Sequence, residues 1–209
     1  MVTLQATELT KRFNYQTIIK NFNYTFESTS TYAVLGHNGS GKSTLLKILS
    51  GYLTPSEGHT SLIINEQKIE KDQQYKYVNF IAPYIQLIED FTLQELLNFH
   101  FSFKDIIPGI TQKTLFNILE LANVKNKFLY QFSSGMKQRV KLIFAFLTQS
   151  SIILLDEPVT NLDDKGVQWY HQLVQQFSNN RLIIVASNRA DEYQFCNKKI
   201  NISEFNIRL

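Results

Sequence analysis

The sequence is short of cysteine and of long apolar runs. Its one cysteine, Cys196, excludes an internal disulfide and suits a reducing compartment. The longest apolar run, residues 142–147, is far too short to span a bilayer, and residues 1–5 lack the basic start and apolar core of a signal peptide. These absences predict a soluble, cytoplasmic chain, unless a partner holds it at a membrane.

An excess of charge of one sign is also absent. The 21 Lys and Arg residues stand against 18 Asp and Glu, which leaves a net charge of +3, and the basic residues are dispersed along the chain. Because no basic stripe is formed, the sequence predicts no nucleic-acid partner. The length of 209 residues suffices for one domain that carries an inserted subdomain.

A glycine-rich motif is the strongest signal that is present. Residues 36–43 read GHNGSGKS, a complete G-x-x-x-x-G-K-S phosphate-binding loop. Its glycines let successive backbone N–H groups converge on phosphate oxygens, the lysine adds positive charge, and the serine hydroxyl suits Mg²⁺. The loop predicts nucleoside triphosphate binding by these residues: Gly36, Asn38, Gly39, Ser40, Gly41, Lys42, Ser43 and Thr44.

The flanks of this loop have the required pattern. Residues 31–35 before it are β-prone, and residues 41–49 after it are helical in pattern, so that a helix dipole points at the anion. On both sides of the loop in the sequence, alternating apolar and polar residues predict the half-buried strands of a small antiparallel β-region. The predicted strands of that region are 4–12, 18–26, 61–64 and 77–81.

The pattern becomes helical from Thr92. Thr92 and Glu95 have the spacing of a capping box, and residues 114–122 and 136–147 continue with helical periodicity. We therefore expect a helical insertion over residues 84–149 in a single domain of residues 1–209. Residues 1–83 and 150–209 form the catalytic core with its β-region in this interpretation.

Two later apolar runs predict parallel strands that are buried on both faces. Residues 152–155 and 182–186 are continuously apolar, and we expect them to flank the strand that precedes the phosphate loop. The first run ends in Asp156 and Glu157, which places two carboxylates at the edge of the sheet where α/β folds bind ligands. Since alternate residues on a strand point opposite ways, Asp156 is the candidate metal ligand and Glu157 the candidate general base.

Together these motifs resemble the ATP-binding subunits of ABC transporters, in the same order over essentially the whole chain. The resemblance rests on the phosphate loop and on three further stretches, FSSGMKQR at 132–139, LLDEP at 154–158 and NLD at 161–163. It implies an α/β fold of the P-loop ABC-type ATPase: a parallel core sheet, an antiparallel β-subdomain and an inserted α-helical subdomain. It also implies ATP hydrolysis with Mg²⁺.

The stretch from Ser133 to Met136 resembles the family signature L-S-G-G-Q, with Ser134 and Met136 replacing the second-last glycine and the glutamine. The resemblance implies that Ser133 and Gly135 hold the γ-phosphate of a nucleotide bound on a second ATPase subunit. Asp163 would lie in the loop that crosses between the two sites. Alternatively, Ser133 and Ser134 simply cap the helix that follows. The chain has both half-sites, which permits a homodimer without requiring one.

An aromatic residue near the start of the chain completes the expected nucleotide site. Phe13 stands where the family carries the residue that stacks on adenine, and Tyr15 is the alternative two residues on. Base stacking of this kind contributes roughly 1–3 kcal/mol in nucleic-acid complexes. Either ring is alternatively a plain core residue.

Two departures from the family pattern affect the expected chemistry. Pro83 holds the place of the usual glutamine and offers no side-chain hydrogen bond, so Gln86 either substitutes for it or is a solvated loop residue. Asn188 stands in place of the switch histidine. As a catalytic group it can donate to phosphate, but it carries no positive charge, so we expect slow turnover.

The resemblance implies separate transmembrane subunits as partners, and these would place the chain peripherally on the inner face of the cell membrane. We expect them to dock near residues 84–103, a segment with four phenylalanines of which most belong to a core. The compact layout resembles that of exporters.

The alternative function is an ATP-gated dimerising switch that regulates a partner without transport. DNA-repair ATPases with these motifs are disfavoured because no coiled-coil heptads interrupt the chain.

Overall fold

A computed structural model describes residues 1–205 of the chain. The fold divides into two compact units. The first comprises residues 1–80, 150–157 and those from 180 onward, and the second comprises residues 81–149 and 158–179. The domain boundaries from the sequence stay a prediction: that division assigned residues 158–179 to the core, whereas the structure groups them with the helical segment.

An antiparallel sheet opens the first unit, with the strand order β2-β1-β4-β5. Its strands are β1 (Val2–Phe13), β2 (Gln16–Glu27), β4 (Glu57–Ile64) and β5 (Gln67–Ile69). Alternate side chains such as Leu4, Phe22 and Phe26 are fully buried and face the core, whereas their neighbours are half-buried or exposed. The prediction of an antiparallel β-region is confirmed for residues 4–12, 18–26 and 61–64, since period-two alternation is what a sheet with one buried face requires. The predicted strand at 77–81 forms, but it lies in the second sheet.

A second sheet of the first unit has the order β6-β7-β8-β3-β9. Its strands are β3 (Thr31–Leu35), β6 (Val78–Ile81), β7 (Ile152–Asp156), β8 (Leu182–Ala186) and β9 (Lys198–Asn201). The pairings β7 with β8, β8 with β3 and β3 with β9 are all parallel. All residues of β7 and β8 are buried, as continuous apolar runs predict.

The neighbours of β3 differ from the prediction. We expected both apolar runs to flank it, but only β8 does, and β9 lies on its other side. The sequence concealed β9 because three of its four residues are exposed and polar, with Ile200 alone buried. A short strand at the edge of a sheet needs little apolar surface, so it leaves no hydrophobic run to detect.

Two helices complete the first unit: α1 (Lys42–Leu49), which follows the phosphate loop, and the single turn α6 (Ala190–Tyr193). The helices of the second unit are α2 (Leu93–Phe103), α3 (Gln112–Leu119), α4 (Ser134–Leu147) and α5 (Asp164–Phe177). Short 3₁₀ turns lie at 71–76, 122–124, 129–131 and 202–205. The capping box of α2 is confirmed: Thr92 and Glu95 exchange hydrogen bonds between side chain and backbone.

Within residues 1–205, no helix combines the length and the apolar character needed to traverse a membrane. The longest, α4 and α5, have 14 residues each, whereas a span takes about 20.

Candidate functional site

The phosphate loop connects β3 to α1, and its backbone takes conformations that side chains oppose. Gly41 has φ 96°, and a Cβ built on it would come 2.9 Å from Cγ2 of Ile18. At Gly36, with φ 152°, a Cβ would come 2.5 Å from Oγ of Ser40. Both positions therefore favour glycine, which is the physical reason that the motif has glycine at these two places.

The first turn of α1 has no side-chain cap. Gly41 occupies the N-cap position, no side chain accepts a hydrogen bond there, and no acidic residue lies in the first turn. The backbone N–H groups at the start of a helix have no intrahelical partner, and the helix dipole makes this end positive. The start of α1 is therefore suited to an anion.

Lys42 lies inside the loop, with only 5% of its surface exposed. Its Nζ donates hydrogen bonds to the carbonyl oxygens of Gly36, at 2.7 Å, and His37, at 3.2 Å. Burial lowers the pKa of Lys42, while the negative charges of Glu157 and Asp156 oppose that change. The ammonium group thus lies within the loop and interacts electrostatically with the two carboxylates, and there it can neutralise a phosphate.

The two carboxylates at the end of β7 differ in environment. Asp156 is the last residue of the strand and is 2% exposed, whereas Glu157 is exposed. Glu157 has φ 46°, in the left-handed region that non-glycine residues rarely adopt, and its N–H donates to the carbonyl of Ala186 at 2.9 Å. This turn directs the chain so that the Glu157 side chain lines the same cleft as the phosphate loop.

An open cleft of the first unit gathers most of the predicted nucleotide site. Its lining residues are Phe13, Ile18, Asn38, Gly39, Gly41, Lys42, Ser43, Thr44 and Glu157. Gly36, Ser40 and Asp156 do not line it, and the last two are buried. Sequence reasoning missed Ile18, because an apolar residue in a strand carries no chemical signal.

The structure separates the two aromatic candidates. The Phe13 ring is 47% exposed, lines the cleft and has Nζ of Lys11 over it, 5.0 Å from its centroid. Tyr15 is fully exposed and does not line the cleft. Only Phe13 is therefore placed to contact a base held beside the phosphate loop.

Asn188 reaches the phosphate loop directly. It follows β8 by two residues, and its Nδ2 donates a hydrogen bond to Oδ1 of Asn38 at 3.0 Å. Sequence reasoning predicted each residue but not their contact. No sequence pattern links two positions that are 150 residues apart.

The second unit holds a separate cleft at the N-termini of α4 and α5. It is lined by Ser133, Ser134, Gly135, Met136, Arg139, Asn161, Leu162 and Asp163. The structure therefore brings the two signature candidates, Ser133 and Gly135, together with Asp163 of the predicted crossing loop.

Both polar candidates in this cleft are helix N-caps. Oγ of Ser133 accepts a hydrogen bond from N of Met136 at 3.2 Å, and Oδ1 of Asp163 accepts one from N of Gly166 at 2.8 Å. Capping uses a lone pair of the serine oxygen and leaves its O–H able to donate. Capping and phosphate contact are therefore compatible roles for Ser133.

Gly135 also has a packing role. A Cβ built on it would lie 2.9 Å from the carbonyl oxygen of Asn161, which is closer than real Cβ contacts allow. The chain segment before α5 thus packs directly on the first turn of α4. Beside them Arg139 forms an ion pair with Glu120 at 2.6 Å and lies 4.8 Å from the Trp169 ring centroid.

Pro83, at the position of the usual glutamine, forms a hydrogen bond through its backbone carbonyl group. Its carbonyl oxygen accepts a hydrogen bond from Nζ of Lys141 at 2.9 Å, and burial lowers the pKa of that lysine. Gln86, the substitute considered from the sequence, has an exposed side chain.

Two residues could hold Mg²⁺: Ser43 through its hydroxyl group and Asp156 through its carboxylate. Ser43 lines the cleft, and Asp156 lies close enough to Lys42 to affect its pKa. Their oxygens are the hard donors that Mg²⁺ prefers, and Mg²⁺ commonly takes few protein ligands when phosphates supply others. Among residues 1–205, no group of three or more His, Cys, Asp or Glu side chains is arranged to hold a metal.

Comparison with known proteins agrees with this geometry. The family model described as ABC transporter matches residues 19–160. An uncharacterized ABC transporter ATP-binding protein of Bacillus subtilis, YybJ, is 32% identical over 191 residues, covering 90% of this chain and 87% of the relative. A lantibiotic transport ATP-binding protein of Streptococcus pyogenes, SrtF, is 28% identical over 189 residues, covering 88% of this chain and 79% of the relative.

Among solved structures, one similar fold is an ATP-binding cassette captured as a dimer in a post-hydrolysis state, bound to ADP and Pi. It covers 96% of this chain and 95% of its own, with a TM-score of 0.79 and 22% identity. An identity of 22% shows that the two chains share a fold, and no more than that. Because the family model matches well over half of the chain and the Bacillus relative extends along most of it, the chain belongs to the ABC transporter family, as an ABC-type ATPase domain.

Proposed function

We propose that this chain is one ATPase domain that hydrolyses ATP slowly as a nucleotide-dependent dimer and drives separate transmembrane subunits, as in an exporter. The observation that carries the proposal is the cleft of the first unit. Phe13, the phosphate loop and Glu157 line one surface there, although the chain between them is long.

Nucleotide binding follows from the groups in that cleft. Phe13 stacks on the adenine, and the backbone N–H groups at Gly39, Gly41 and the start of α1 hold the phosphates. Lys42 exchanges its two carbonyl partners for phosphate oxygens, which are charged and therefore stronger acceptors. The remaining loop residues in the proposed site are Gly36, Asn38, Ser40, Ser43 and Thr44.

Ser43 and Asp156 are the proposed ligands of Mg²⁺. When bound there, the ion neutralises charge on the β- and γ-phosphates. Glu157 acts as the general base: its exposed carboxylate accepts a proton from the water that attacks the γ-phosphate in line. The left-handed backbone at Glu157 holds that carboxylate at the cleft.

The second cleft is half of a site. Ser133 and Gly135 contact the γ-phosphate held by a partner ATPase subunit, and Asp163 lies where the two subunits cross. Two observations support this: the three residues line one cleft, and a cassette of the same fold was captured as a dimer. Since each chain has both half-sites, a homodimer is sufficient.

The proposed membrane partner docks on the second unit. Tyr84, Ile88, Phe99 and Phe103 are exposed there, and Phe99 packs edge to face with Phe91 and Phe103 at 5.5 and 5.1 Å between centroids. Exposed aromatic clusters of this kind mark interaction sites. The similarity to a lantibiotic transport ATP-binding protein supports a role in transport. A chain docked in this way is cytoplasmic and peripheral to the inner face of the membrane.

Turnover of Mg²⁺-ATP by the purified chain tests the proposal. We expect the rate to rise more steeply than linearly with protein concentration, because a complete site needs two chains. We expect Glu157→Gln to lose about 10²–10⁴-fold in rate while still binding ATP. Glu66→Gln, at an exposed turn of the antiparallel sheet, is the matched control.

Any of three results would contradict the proposal. A rate strictly proportional to concentration, from a chain that light scattering shows to be a monomer throughout, would exclude the dimer as the active form. Full activity in Glu157→Gln would exclude its role as base. If the wild-type chain binds ATP and dimerises but never hydrolyses it, an ATP-gated switch would replace the transport function. Slow turnover has its own test: Asn188→His should raise the rate, since an imidazolium adds positive charge.

A further inference from the structure

We propose that Asn38 is a positioning residue for Asn188: the two side chains form an amide pair that directs only N–H donors toward the terminal phosphate of ATP. The inference rests on the proposed function, since it needs ATP in the cleft. It assigns the contact between the two residues a role in distinguishing ATP from ADP.

The need for such a partner follows from the chemistry of asparagine. Its amide has an acceptor oxygen at one end and a donor NH₂ at the other, and a half-turn of the side chain exchanges them. A phosphate oxygen is only an acceptor, so the wrong orientation places two oxygens against each other. An asparagine at a phosphate therefore needs a neighbour that fixes which end faces the ligand.

Asn38 meets that need in this structure. Its Oδ1 accepts a hydrogen bond from Nδ2 of Asn188 at 3.0 Å. The bond uses one of the two N–H groups of Asn188 and keeps its oxygen turned away from the acceptor. In this arrangement the NH₂ group of Asn38 faces away from Asn188. The pair retains N–H groups on both amides for a ligand.

The backbone beneath Asn188 is anchored on both sides. N of Ser187 donates to the carbonyl of Val34 in β3 at 3.2 Å, and Oγ of Ser187 accepts from N of Arg189 at 2.8 Å. Ser187 is fully buried. Because β3 leads into the phosphate loop, the segment that carries Asn188 and the loop that carries Asn38 are held to the same strand.

The location of Asn38 points to the terminal phosphate, and Asn188, which is not among the residues that line the cleft, is joined to it through Asn38. Asn38 lines the cleft together with Glu157, the proposed base that serves the γ-phosphate, and with Lys42. The pair is uncharged, so it adds directed hydrogen bonds rather than a general attraction for anions. Its expected effect is therefore on the preference for ATP over ADP.

The test measures affinities without turnover. In a Glu157→Gln background, titration calorimetry gives the dissociation constants of ATP and ADP. We expect Asn38→Ala to lower the ratio of the ADP constant to the ATP constant by about fivefold, the effect of one hydrogen bond. The ADP constant itself should change little. Asn23→Ala is the matched control, because it removes an exposed amide-to-amide bond, from Asn23 to Asn21 at 3.1 Å, elsewhere in the same unit.

A second background separates positioning from a contact that Asn38 makes by itself. In Asn188→His, the ring presents nitrogen atoms at both edges and has no carbonyl oxygen to misplace, so Asn38→Ala should lower the ratio by less than about twofold, within the scatter expected of uncoupled sites. An equal loss in both backgrounds would overturn the positioning role, and so would an unchanged ratio in the first. Melting curves without nucleotide verify that each variant is folded. If the Glu157→Gln parent binds neither nucleotide, the proposed function itself fails, and the inference fails with it.

Discussion

The helices of the two units begin in different ways. In the second unit, every one of the four helices α2 to α5 has a side-chain cap, provided by Thr92, Thr111, Ser133 and Asp163. In the first unit, α1 begins at Gly41 with no cap. Caps satisfy backbone N–H groups within the chain, whereas an uncapped start leaves them to a ligand. The caps of the second unit stabilise the starts of its helices, whereas the start of α1 has backbone N–H groups that are suited to a ligand.

The uncapped helix is stabilised by burial instead. Lys42, Leu45, Leu46, Ile48 and Leu49 of α1 are buried, and burial of an apolar side chain contributes about 1.5–3 kcal/mol. A cap contributes about 1 kcal/mol. Contacts with the core therefore offset the missing cap, and the helix start remains suited to an anion.

Among the predictions, we expect the largest difference between the two units in how far acid lowers their free energies of unfolding. His100 of the second unit stacks on Phe144, with 3.8 Å between ring centroids, and Nε2 lies 2.8 Å from Oγ1 of Thr148. Burial, and secondarily the charge of Lys104, lowers the pKa of His100 to about 4. The folded state thus keeps His100 neutral, and its contribution is complete above the unfolded pKa of 6.5 and is lost as the pH falls toward 4.

We expect the second unit to lose up to about 3 kcal/mol of stability between pH 6.5 and 4 from this group. Urea unfolding followed by the fluorescence of Trp169, the single tryptophan, reports on that unit. His100→Phe keeps a ring against Phe144 and should flatten the dependence on pH. His59→Phe, exposed in β4, should leave it unchanged. If the unfolding free energy of His100→Phe depended on pH as steeply as that of the wild type, His100 would not be the group responsible.

Removal of the charge in the phosphate loop should have the next largest effect. Lys42→Ala removes the ammonium group that we expect to bind phosphate, and hydrogen bonds to charged groups contribute about 1.5–3 kcal/mol. We therefore expect a loss of about 10- to 150-fold in affinity for a fluorescent ATP analogue. Lys20→Ala, exposed on β2, is the control. Unchanged affinity in Lys42→Ala would mean that the uncapped helix start alone binds the phosphates.

The smallest effect tests whether a capped helix end can also bind phosphate. Ser133→Ala should lose about 1 kcal/mol of stability, whereas Ser133→Asp keeps a good cap and should lose little. Both should weaken ATP-dependent dimerisation of Glu157→Gln, measured by light scattering, because one lacks the hydroxyl and the other adds negative charge. Thr111→Ala, the cap of α3, should reduce stability and leave the dimer intact. Normal dimerisation of Ser133→Asp would make Ser133 a cap and nothing more.

Much of the fold was predictable because its signals are local. The capping box at Thr92 and Glu95 operates over three residues, and the buried runs of β7 and β8 are continuous. The strand β9 was missed because its exposed polar residues have no pattern, and its place beside β3 depends on residues far away in the sequence. The sequence also did not predict helix α5. Asp163, which the family resemblance assigns to the loop that crosses between the sites, is the N-cap of that helix.

The sequence by itself determined the chemistry of the phosphate loop, the carboxylate pair at the end of β7 and the start of α2, because each depends on residues within one or two turns of chain. Only the tertiary structure decided that Phe13 and not Tyr15 lines the cleft, that Lys42 bonds to the loop carbonyls, and that Asn188 meets Asn38. The bonds of Lys42 stay within the loop, whereas the positions of Phe13 and Asn188 bring together strands and loops that are far apart along the chain. They exist because the packing of both sheets sets which side chains come within hydrogen-bonding distance, and no local pattern specifies that packing.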